Sequence, residues 1–139
     1  MDNFLTPVVV LIVWTLIILV VMYSRLIPHL REANVDSQST RSPEGKWRGE
    51  LPEHVQIGMH NYNHLFEQPT IFYALMFYLH LSGGTEVWVS VLAWLYVGLR
   101  VIHSLIQITI NQVLFRFTVF ALSTLALMVM AVRGVALAF

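Results

Sequence analysis

The sequence predicts an all-α integral membrane protein, a four-transmembrane-helix bundle forming a single domain over residues 1–139. Three observations carry that prediction. Of the 139 residues, 57% are hydrophobic and 12% are charged, against about 45–50% and about 25% in a soluble domain. Lipid is the solvent that suits both departures. The apolar residues are also gathered into stretches of about 20 or more, the length that crosses a hydrocarbon layer. Finally, the last two connections are short enough to hold only turns. The formal net charge is zero, which gives no electrostatic basis for binding nucleic acid. Cysteine is absent, so disulfides, thiolate metal sites and a cysteine nucleophile are excluded.

The first helix is read over residues 4–27, with Pro28 at its end. It is too long for the apolar core of a cleavable leader, lacks a basic segment before it and ends without a small-residue cleavage site, so it is expected to stay in place. Residues 28–51 form a polar loop that carries Arg31, Glu32, Asp36, Arg41, Glu44, Lys46, Arg48 and Glu50. The second helix, 52–81, opens on Pro52-Glu53, a first-turn proline and an acid at the positive end of the helix dipole. Its first half is polar for a span, its second half is apolar, and Pro69 is expected to kink it. Ser82-Gly83-Gly84-Thr85 is a tight turn. The third helix covers about 86–108 and the fourth about 111–137, antiparallel neighbours because so little chain joins them.

Basic residues set the expected orientation. The first loop holds Arg31, Arg41, Lys46 and Arg48, with Arg25 just before it, whereas only Arg133 lies toward the other side. The positive-inside rule makes that loop cytoplasmic and puts both termini on the far side. His60, Asn63, His64 and Glu67 of the second helix then fall in the cytoplasmic half, with Arg100, His103 and Gln107 of the third and Asn111 and Arg116 around the start of the fourth. His60, Asn63, His64 and Glu67 repeat at i, i+3, i+4, i+7, which is one helical face. Arg100, His103, Ser104 and Gln107 repeat that spacing. A charge facing lipid at mid-span costs about 2.5–3.5 kcal/mol even on the lenient insertion scale. Glu67, Arg100 and Arg116 are therefore expected to face one another or a wet cavity. A packing ion pair and snorkelling arginines explain each charge alone; the whole cluster exceeds what a scaffold needs. Two cations against one anion favour an anionic ligand.

The stretch Asn63-His64-Leu65-Phe66-Glu67-Gln68-Pro69-Thr70-Ile71-Phe72-Tyr73 resembles the second helix of bacterial members of the MAPEG family (membrane-associated proteins in eicosanoid and glutathione metabolism). Arg100-Val101-Ile102-His103-Ser104-Leu105-Ile106, with Asn111 and Arg116, is similar to the third helix and the start of the fourth. The resemblance implies a homotrimer in the bacterial inner membrane, with glutathione held in cytoplasmic-side clefts between subunits. It further implies that Glu67 holds the tripeptide's amino end, that Arg100 and His103 line the cleft with His60, Asn63, His64, Gln107 and Asn111, and that Arg116 stabilises the thiolate. Where the family pattern has an arginine, an asparagine and a tyrosine, this chain has His60, His64 and Gln107.

Three functions follow. The first is glutathione transfer to, or peroxide reduction in, a lipophilic small molecule, since a cation such as Arg116 lowers a thiol's ordinary pKa of about 8.5. The second is a non-catalytic lipid-binding or accessory protein of the same fold, which the altered positions suit. The third is a metal site on His60, His64, Glu67 and His103, two of them at i, i+4; such pairs more often hydrogen-bond to neighbours or water.

Overall fold

The computed structural model describes residues 3–32, 47 and 49–139. Asp36, Arg41, Glu44, Lys46 and Arg48 of the polar loop lie outside the described residues. A 3-10 turn, Asn3–Leu5, leads into α1 (Thr6–Glu32), followed by α2 (Glu53–His64), α3 (Gln68–Leu81), α4 (Val87–Ile108) and α5 (Val113–Ala138). No strand occurs among the described residues.

In α1 the residues Val8, Leu11, Thr15, Ile18, Met22 and Leu26 are buried, at spacings of three or four, so one stripe of the helix faces its neighbours. Val9, Val13, Leu16 and Val20 on the other side are exposed, a surface suited to acyl chains. The buried Thr15 hydroxyl donates to Leu11 O at 2.9 Å, so no polar group is stranded there. The helix does not stop at residue 27. It continues through Pro28 to Glu32, because Pro28 lies on the exposed side, where the carbonyl it leaves without a donor can be solvated.

The second predicted helix is two helices. Residues 65–67 form a turn between α2 and α3, and Pro69 sits in the first turn of α3 rather than within a kinked rod. A proline's missing N–H costs nothing in a first turn, where no carbonyl precedes to receive it. Thr70 Oγ1 closes the turn by donating to Glu67 O at 2.6 Å. Val55 and Met59 of α2 pack on Met22 and Leu26 near the end of α1. Phe72, Met76 and Leu79 of α3 join Val8 and Leu11 near its start. Together α2 and α3 therefore run antiparallel to α1 along its whole length.

Helices α4 and α5 are also antiparallel. Arg133 near the end of α5 pairs with Glu86 at the start of α4, and His103 near the end of α4 bonds to Arg116 at the start of α5. Between them Asn111 adopts φ 47°, a left-handed conformation that asparagine tolerates better than most residues. By length and composition α1, α4 and α5 can each cross a membrane. The result is an integral membrane bundle with its core on Leu11, Phe72, Met76, Ala93, Tyr96 and Met130.

Candidate functional site

The break after His64 creates the site. A continuous helix would give the His64 carbonyl to the backbone N–H of residue 68. Here that carbonyl sits at a helix C-terminus, the negative end of the dipole; it accepts a long 3.5 Å bond from the Glu67 N–H of the turn, and Arg100 Nη2 donates to it at 3.1 Å. Arg100 is completely buried. Its guanidinium also lies 5.5 Å from the Phe120 ring centroid, within cation–π range. Its Nε and Nη1 have no hydrogen-bond partner among the described residues.

In front of Arg100 lies a cavity of about 390 Å³ lined by His60, Asn63, His64, Glu67, His103, Gln107 and Arg116. The two polar stripes thus face one another across one space, at the end of the bundle formed by α2, the last turns of α4 and the first of α5. Of the remaining candidates, Arg100 stands behind this wall rather than in it. Asn111 holds the rim, its Oδ1 accepting from Arg116 Nη1 at 2.5 Å.

The pairing differs from the sequence expectation. Glu67 does not pair with Arg100; its Oε2 accepts from His64 Nδ1 at 2.7 Å. The turn at 65–67 carries Glu67 back over the end of α2, three residues along, whereas Arg100 takes the backbone instead. His103 Nδ1 donates to Arg116 O at 3.0 Å, which places the ring proton on Nδ1. The His64 and His103 rings are 5.1 Å apart, and His64 lies 5.4 Å from Phe120. Among the described residues Arg100 and Arg116 make no ion pair, so the site keeps its positive surplus.

The four residues weighed as metal ligands do not form such a set. Among the described residues no group of three or more histidines and acids is arranged to hold an ion. The Nδ1 atoms of His64 and His103 are each committed to an oxygen of the protein.

Two contributors escape the sequence reading. Asn61 is buried and exchanges hydrogen bonds with Ser104, donating to Oγ at 2.7 Å and accepting at 2.9 Å, which clamps α2 to α4. It lies off the i, i+3, i+4, i+7 face, and only the polar cost of burying an asparagine could have marked it. Phe120 touches His64, His103 and Arg100, yet among so many apolar residues of a span nothing distinguishes it.

Fold and site together define a membrane-embedded helical bundle of four arms, one of them α2 and α3 end to end, with a histidine-lined, net-cationic cavity among its helix ends. The chain belongs to the MAPEG family, whose family model matches residues 4–136. No curated protein and no solved structure matches it significantly.

Proposed function

We propose that the cavity binds glutathione and that the protein transfers glutathione through its sulfur to lipophilic electrophiles or uses its thiol to reduce lipophilic peroxides. The observation that carries this reading is the uncompensated cation: Arg100 buried with two unpartnered donors, and Arg116 in the cavity wall without a carboxylate. The donor set fits an acidic tripeptide. The Arg116 guanidinium in the wall matches a carboxylate and Arg100 adds positive charge from behind it, the exposed Glu67 suits an amino group, and the buried, unpartnered Oε1 of Gln107 can accept from a peptide N–H. A volume of about 390 Å³ lies within the range of small-ligand sites, about 300–1,000 Å³. When bound, glutathione supplies a thiol. Arg116 favours its ionised form, and Asn111 keeps the Arg116 guanidinium in place.

The same reading makes the protein a homotrimer in the bacterial inner membrane, with the cavity on the cytoplasmic side and both termini opposite. Its test is calorimetric titration of the detergent-solubilised protein with glutathione, wild type against Arg116→Ala. Heat in the wild type that is reduced in the variant supports it; no heat in the wild type overturns it. Cross-linking in detergent should stop at three chains.

One observation favours a second reading, a non-catalytic lipid-binding member. Leu92, Leu95, Leu99, Leu122 and Leu125 line an apolar cavity of about 320 Å³ between α4 and α5, chemistry suited to an acyl chain. Mass spectrometry of co-purifying lipid, without glutathione heat, would favour it.

A further inference from the structure

We propose that His64, oriented by Glu67, is the base that takes the thiol proton in this site and then returns it to the second reactant, a lipid with a conjugated carbonyl group; the inference rests on the glutathione reading. Three observations meet at this residue. His64 Nδ1 donates to the Glu67 carboxylate at 2.7 Å, and no partner for Nε2 occurs among the described residues. The neutral ring therefore presents Nε2 as a lone pair, the tautomer that a carboxylate imposes on an imidazole base. The ring is also held in place, 5.1 Å from His103 and 5.4 Å from Phe120, with its own carbonyl fixed by Arg100. A base must be positioned to be effective.

The third observation is location. Beside the polar cavity is a smaller one of about 210 Å³, lined by His64, His103, Val113, Arg116, Phe117 and Phe120. The two cavities share His64, His103 and Arg116. A polar thiol peptide in one and an apolar chain in the other meet at that shared wall. His103 is the weaker base, because its Nδ1 partner is a neutral carbonyl, which does less than a carboxylate to stabilise an imidazolium.

The charges facing His64 select the reaction. Its own segment presents His60 and Glu67, α4 presents Arg100 and His103, and α5 presents Arg116. Two guanidinium groups oppose a lasting imidazolium, so the proton has to leave again. Addition to a conjugated carbonyl meets that need. The thiol S–H bond breaks and its proton moves to Nε2. The sulfur pair forms a bond to the β-carbon, and the C=C π pair moves toward the carbonyl oxygen, near Arg116. The proton then passes from Nε2 to the α-carbon, leaving a saturated thioether and a neutral ring. Nothing else is consumed. Glu67 acts here as a positioning residue.

The experiment measures turnover of glutathione with a long-chain 2-alkenal across pH for the detergent-solubilised wild type, His64→Gln and Glu67→Gln, with calorimetric glutathione binding for each. His64→Gln is expected to bind glutathione yet lose roughly 10²–10⁴-fold in kcat, the usual contribution of acid–base catalysis. Its residual rate should climb with the thiolate fraction, without the imidazole limb. Glu67→Gln should move that limb without removing it, which a purely structural role would not do. A His64→Gln protein that binds glutathione and keeps the wild-type rate and pH profile overturns the base and leaves the glutathione reading standing. Wild type that binds no glutathione overturns both.

Discussion

Arg100 shows at the scale of one residue how this protein trades stability for a site. It is completely buried, yet its compensation is one carbonyl and one aromatic face, and two of its nitrogen groups bond to nothing among the described residues. A buried charge without a full set of partners costs several kcal/mol relative to an apolar side chain of similar size. Arg100→Met should therefore leave thermal stability unchanged or raise it, while glutathione binding under the proposed function falls at least tenfold. Thermal unfolding and titration calorimetry on the same preparation check the two halves. A variant that unfolds more easily would mean that the His64 carbonyl contact stabilises the fold more than the missing bonds cost.

At the scale of the element, the helices were legible in the sequence because each apolar stretch is long and bounded by turn residues. The facing polar stripes were legible because helical spacing aligns them: all four residues of the first stripe line one cavity with His103 and Gln107 of the second. Local backbone choices were not legible. Pro28 reads as a stop from sequence, but its exposure allows the helix to continue. Pro69 reads as a kink, but the chain uses it to start α3, and this moves the break to residues 65–67. That displacement decides the electrostatics. It opens the His64 carbonyl to Arg100 beside a long bond from the Glu67 N–H and turns the Glu67 side chain onto His64, a pairing that no spacing rule distinguishes from Glu67 with Arg100. At the opposite end of α4, the Arg133 guanidinium holds the Glu86 carboxyl below its usual range. A carboxyl lowered in the folded state stabilises above its unfolded pKa, and loses that contribution as pH falls through its folded value. The wild type should therefore lose more thermal stability on acidification than Glu86→Gln, the two curves converging at low pH. Parallel curves would show that the pair contributes nothing measurable, as for many exposed pairs.

The scale of the whole molecule is set by lipid. Exposed Val9, Leu16, Val20, Val91, Leu125 and Val132 form outer faces that only an apolar solvent suits, and α1, α4 and α5 have the length to cross it. Orientation can be measured with little preparation, because the chain has no cysteine. A single cysteine at Glu50, exposed just before α2, should react with a membrane-impermeant maleimide only when the cytoplasmic side is opened. One at Ser82, in the turn after α3, should react from outside in intact cells. The reverse labelling pattern would invert the proposed topology and put the cavity on the other face.

The turn between α2 and α3 also separates mechanical loads. Asn61 ties α2 to α4 through Ser104, whereas Gln68 ties α3 to α5 through a 2.8 Å bond to Thr124. A continuous rod would carry any shift in one half into the other. Here the two halves have their own anchors, so loosening at the far end of the bundle is expected to stop at the joint. Met76→Ala, at a completely buried position of α3, should cost about 2–5 kcal/mol of stability. Ligand affinity at the cavity should stay close to that of the wild type. A matching loss of affinity would show that the bundle yields as one body and that the joint transmits what it is built to absorb.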